Sequence, residues 1–130
     1  NWKPVLATSA DPADYGAPQT DKYLIMMTDG LFNKDYHSAY SPPAYAGISQ
    51  RSGRMAMGYC AALKANNVKV FTIGFDLDGI SDAGQRAEAT KGLMDCATDA
   101  GSFFKADNGK ELEAAFRKIA AAVQTVRLTN

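Results

Sequence analysis

The residues that could do chemistry are few. Asp29 lies near the end of the stretch YLIMMTDG, in which the apolar run Tyr23–Met27 leads directly into Thr-Asp-Gly. An aspartate at the mouth of an apolar strand suits three roles: a catalytic carboxylate, a metal ligand, or the first residue of a turn. Asp76 and Asp78 follow a second apolar run, VKVFTIGF. Ligands of open parallel sheets gather beyond the carboxyl ends of the strands, so these three carboxylates are expected on one rim. A carboxylate there can hold Mg²⁺, directly or through water. The segment DLDG invites a calcium-loop reading that its register refuses. Counting from Asp76, the fifth, sixth and twelfth positions are Ile80, Ser81 and Ala87, where an EF-hand needs an oxygen ligand, glycine and glutamate. His37 is the only histidine, and any Ser-His-Asp triad would have to draw on it with Ser38, Ser41 or Ser49. No Gly-x-Ser-x-Gly elbow accompanies it, and neither a Walker motif nor GxGxxG occurs. A hydrolase using Asp29 and His37 is the rival reading from a different functional class.

The elements that must position these residues alternate along the chain. Residues 1–21 hold three of the five prolines and read as a loop-rich leading segment after a possible helix end at Trp2–Leu6. Tyr23–Met27 has the pattern of a strand buried on both faces. Residues 31–50 form a long loop centred on Pro42-Pro43 and carrying Tyr36, His37, Tyr40 and Tyr45, a length that usually signals function or mobility. A helix is predicted over 52–65 with Met55, Tyr59, Ala62 and Leu63 on one stripe. Val68–Phe75 is the second strand, followed by a polar loop and a helix over 85–98. SFFKA is a short third strand, and Asn108 with Glu111 makes a capping box for a last helix displaying Leu112, Phe116, Ile119 and Val123. VRLTN is expected as a short strand or an extended end. Met55, Met57 and Met94 read as core. The alternation predicts an α/β fold, an open and mainly parallel sheet with flanking helices: one domain over 1–130, with a β-α-β-α-β-α core over 22–130.

Composition narrows the function. The chain has 130 residues, 46% of them hydrophobic and 22% charged, which suits a single domain with a modest core. Fourteen basic and fourteen acidic residues cancel, removing the basic footprint of a nucleic-acid binder. No apolar run approaches the roughly 20 residues that cross a bilayer. The chain opens at Asn1 without a Met, as a fragment or processed product does. Cys60 and Cys96 are too far apart for a CxxC motif; the residues alone leave open two buried thiols or one disulfide.

KYLIMMTDG, then YCAALKANNVKVFTIGFD, then LMDCATDAGSFFKADNGKELEAAFRKIAAAVQTVRLTN together resemble the second half of a von Willebrand factor type A domain. More closely, the series is similar to the carboxyl-terminal region of TadG-like proteins of the tight-adherence (Flp) pilus system. The likeness runs from Lys22 to the end of the chain, and it is the order and spacing of the segments that carry it.

The resemblance implies a non-enzymatic protein-binding or adhesion module of the cell envelope, on the periplasmic or extracellular side, anchored by an amino-terminal membrane helix absent from this sequence. A scaffold with a decayed metal site is the milder alternative. The resemblance also implies a metal-ion-dependent adhesion site for Mg²⁺ or a similar cation. Of its ligands only the TDG aspartate maps here, onto Asp29; the DxSxS loop and the threonine are expected upstream. By implication the intact domain takes the cation and this chain alone takes none. It further implies a Cys60–Cys96 disulfide. Expected partners are other pilus-assembly or envelope proteins, with Tyr36, His37, Tyr40 and Tyr45 as a contact surface. The strand Leu24–Met27 is also expected to lack its neighbour, to be supplied by the upstream half of the domain or by another copy of the chain.

Overall fold

The structure, a computed structural model, describes residues 13–29, 47–48 and 51–129. Strand β1 (Tyr23–Thr28) is followed by helix α1 (Arg51–Ala65), strand β2 (Lys69–Phe75) and helix α2 (Ala83–Cys96). Strand β3 (Phe103–Ala106) and helix α3 (Gly109–Thr129) complete the order. The sheet is parallel throughout, in the order β1-β2-β3. This is an open, Rossmann-like α/β arrangement, in agreement with the alternation of apolar runs and helices in the sequence.

Side-chain alternation along the strands splits the core between two faces. Leu24, Met26 and Val70 point toward α1 and α2, where they meet Ile48, Met57, Cys60 and Cys96. Thr72 is on the same face, and its buried hydroxyl donates to the Leu93 carbonyl oxygen at 2.8 Å. On the opposite face Phe71 and Ile73 pack against Ala115 and Ile119 of α3. Both parallel crossovers therefore run over one face, as crossovers of one hand advancing in one direction must. Gly74 sits where β2 makes its closest approach to the Leu77 turn and to α2. A Cβ there would lie 2.5 Å from Leu77 Cδ1 and 3.1 Å from Leu93 Cδ1.

The helix ends reflect local chemistry. Asp82 caps α2 by accepting from the Gln85 N–H at 2.7 Å. The cap expected at α3 is formed by Asn108, whose Oδ1 accepts from the Glu111 N–H at 3.0 Å, while Glu111 Oε2 reaches one residue past the cap and accepts from the Asp107 N–H at 2.8 Å.

Five expectations need correction. β1 is not buried on both faces: Ile25 is 43% and Met27 54% exposed, because α3 lies over β2 and β3 and leaves the β1 column bare. The buried stripe of α1 is Gly53, Met57 and Cys60, not Met55, Tyr59 and Ala62. Attachment of Cys60 to α2 fixes the rotation of the helix and turns Tyr59 outward, 65% exposed. Met94 faces solvent on α2 rather than the core. The polar loop after β2 contains a 3₁₀ turn, Leu77–Gly79, with Leu77 buried. The stretch expected as a strand or extended end continues α3 through Thr129, since no glycine or proline interrupts helix propagation.

Candidate functional site

Parallel register sets the rim. Thr28 pairs with Gly74 and Phe75 with Ala106, so Asp29, Asp76, Asp78 and Asp107 all emerge at the carboxyl edge of the sheet. Asp76 turns the chain there in a left-handed conformation, φ 50°, which aspartate tolerates better than most residues. Its N–H donates to the Ala106 carbonyl oxygen at 2.8 Å.

The carboxylates do not converge on one point. Asp78 is engaged by the Lys105 ammonium at 2.5 Å, with Arg86 at 3.8 Å and Asp107 at 3.8 Å from Lys105. The Lys105 hydrogen bond, and then its charge, hold the Asp78 carboxyl below its ordinary value; the same hydrogen bond holds the Lys105 ammonium above its own. Asp29 is exposed at the end of β1. Among the described residues, no three His, Cys, Asp or Glu side chains are grouped to hold a metal ion. A hard cation needs several organised oxygens, so the described part of the rim does not fit Mg²⁺ binding. Tyr36, His37, Tyr40 and Tyr45 lie outside the described residues.

Away from the rim, Cys60 and Cys96 form a disulfide between α1 and α2, with a Cα–Cα distance of 5.1 Å. One turn further along α1, Lys64 donates to the Asp95 carbonyl oxygen at 2.6 Å. A cation at a helix carboxyl end satisfies orphan carbonyls and complements the macrodipole.

Among the described residues β1 exposes two large apolar side chains, Ile25 and Met27. The Lys69 N–H donates to the Lys22 carbonyl oxygen, so Lys22, Leu24 and Met26 direct their backbone groups toward β2. Ile25 and Met27, alternating with them, direct theirs to the open edge. Among the described residues no strand pairs with that edge. On the sheet face shared with α3, Ile25 stands beside Phe71 and Met27 beside Ile73. The flank of α3 nearest this strip is apolar too: Val123 adjoins Tyr23, and Phe116, two turns earlier on that flank, is 42% exposed. The edge carries no proline or charge between Tyr23 and Thr28, the usual protections of an edge strand.

Sequence reasoning found the rim and missed what occupies it. Lys105 is the next-to-last residue of the short third strand and Asp78 comes after the second, so the carboxyl-end rule that gathered the aspartates held the signal for their pairing. The bare strip gave no such signal, because a continuous apolar run looks the same whether one face or two are covered. No protein-family model, curated protein or solved structure matches this chain. Among the described residues no helix is long and apolar enough to cross a membrane.

Proposed function

We propose that the chain is a non-enzymatic protein-binding module, the carboxyl-terminal part of a von Willebrand factor type A-like domain in a TadG-like pilus-assembly protein of the cell envelope. The observation that carries the binding role is the exposure of Ile25 and Met27 along β1, a strand that has β2 as its one strand neighbour among the described residues. An edge of this kind offers main-chain hydrogen bonds and apolar pockets to another polypeptide. The Cys60–Cys96 disulfide suits an oxidising compartment such as the periplasm. The order of segments from Lys22 onward supports the family assignment. In this reading Asp29 is one ligand of a Mg²⁺ site whose remaining ligands lie on other segments, and binding through β1 does not depend on that site. The tyrosines Tyr36, Tyr40 and Tyr45, with His37, are proposed as further contact residues, since tyrosine offers large contact area at low entropic cost.

The test is photocrosslinking in cells that make the full-length protein, with a benzophenone amino acid at Met27. A discrete polypeptide adduct, lost when Ile25 is changed to Lys, is expected. No adduct at Met27, with Tyr59 as the exposed control position, would remove the observation on which the reading rests.

A further inference from the structure

We propose that Asn108–Gly109 is a site of spontaneous deamidation, gated by the opening of the first turn of α3. This chemistry does not depend on what β1 binds.

The pair is the one Asn-Gly step in the chain. Deamidation begins when the backbone nitrogen of the following residue attacks the side-chain carbonyl carbon, and a side chain on that residue hinders the approach. Gly109 has none, and nothing lies within 4 Å of where its Cβ would be. Both residues are exposed. The Gly109 N–H is the first of α3 and has no acceptor within the helix. Asn67 supplies the contrast in the same molecule. It is exposed too, but the residue after it is Val68, buried and branched at Cβ.

The bonds made and broken balance with water as the only co-reactant. Gly109 N bonds to Asn108 Cγ and gives up its proton, the Cγ–Nδ2 bond breaks, and ammonia leaves carrying that proton. The product is a succinimide ring. Water then opens the ring at either carbonyl, leaving aspartate at position 108 or an isoaspartate whose main chain runs through Cγ.

The fold holds the starting amide away from this path. Asn108 Oδ1 accepts from the Glu111 N–H at 3.0 Å, and Glu111 Oε2 braces the turn by accepting from the Asp107 N–H at 2.8 Å. Ring closure ties Cγ to the Gly109 nitrogen, so Oδ1 cannot keep its place over the Glu111 N–H and the cap must open first. Glycine at the first helical position eases that opening, since it is a poor helix former. The two products then differ in what they do to α3. Aspartate caps as well as asparagine and adds negative charge at the positive end of the helix. Isoaspartate lengthens the main chain and moves its carboxylate off the capping position, so the start of α3 frays.

The test follows the tryptic peptide 106–110 by mass spectrometry while the intact chain ages in mildly alkaline buffer, either folded or in urea. Conversion of amide to acid at position 108 is expected in both samples. It should be about fivefold or more slower in the folded chain, the factor implied by breaking one N-cap of typical strength. An isoaspartyl methyltransferase assay should find isoaspartate beside aspartate. Glu111→Ala removes the carboxylate bonded to the Asp107 N–H, and should speed the folded reaction without changing the one in urea. Gly109→Ala should slow both, and Asn67 should stay an amide. A folded chain that keeps its amide while the urea sample converts overturns the site. A folded rate equal to that in urea, or unmoved by Glu111→Ala, overturns the gate. Acid without isoaspartate overturns the succinimide route. Conversion undiminished in Gly109→Ala, or as fast at Asn67, overturns the role assigned to Gly109.

Discussion

Val70 and Thr98 hydrogen-bond each other twice. The Val70 N–H donates to Thr98 Oγ1 at 2.7 Å, and the Thr98 N–H donates to the Val70 carbonyl oxygen at 3.0 Å. β3 begins opposite Thr72, so β2 has no β3 partner at Val70. Thr98, just past α2, supplies both missing bonds and completes the strand by one residue.

Replacing Thr98 with Val keeps the shape and removes the acceptor, leaving the N–H of fully buried Val70 unsatisfied. The expected loss of stability is about 1–3 kcal/mol. Thr98→Ser retains the hydroxyl and should recover most of it. Urea denaturation of the two variants beside the parent checks this.

The Cys60–Cys96 disulfide closes a loop over a sequence separation of 36 residues. Replacing both cysteines with Ala is expected to cost about 2–4 kcal/mol. Lys64→Met should cost less, since the Asp95 carbonyl oxygen it serves is exposed and can turn to water. Reductant should lower the denaturation midpoint of the parent and leave that of the double-alanine variant unchanged.

Gly74→Ala forces a methyl group to within 2.5 Å of the buried Leu77 side chain. Overpacking of this kind costs about 1–3 kcal/mol. Adding Leu77→Ala to Gly74→Ala should then cost less than Leu77→Ala costs in the parent, a non-additivity that a double-mutant cycle measures.

The Asp78–Lys105 pair makes the pH dependence two-sided. The folded-state value of Asp78 is depressed, so its contribution is fully present above the unfolded value of about 3.8 and is lost as pH falls through the lower folded one. That of Lys105 is raised, so its contribution is fully present below about 10.5 and is lost as pH rises through the higher folded value. Between these limits the pair's contribution should be flat. Both groups are exposed, so the effect should be small and should shrink in 1 M salt. Carboxyl-detected NMR should place the Asp78 midpoint below 3.8 and return it toward that value in Lys105→Met.

How much of this could be read in the sequence depends on the range of the interaction. The strands, the alternation of helices and the Asn108–Glu111 cap rest on signals within a few residues, and all are present in the structure. The α1 stripe is not legible locally, because Met55, Tyr59 and Ala62 have helical spacing as good as that of Gly53, Met57 and Cys60. A bond to Cys96, 36 residues away, decides between them. The exposure of β1 is equally hidden, because whether a helix covers Ile25 and Met27 depends on where α3 lands, which no local pattern encodes. The rim was legible as a place, since parallel strands bring their ends together. The pairing of Asp78 with Lys105 needed two strands in register.

The central claim, that β1 presents an open edge to another polypeptide, is tested most directly by residue-resolved amide hydrogen exchange against protein concentration. The Leu24 and Met26 amides, directed toward β2, serve as internal references. In dilute protein the Ile25 and Met27 amides should exchange at least about tenfold faster than these. Ile25 and Met27 amides as slow as those of Leu24 and Met26 at the lowest concentration would contradict the account.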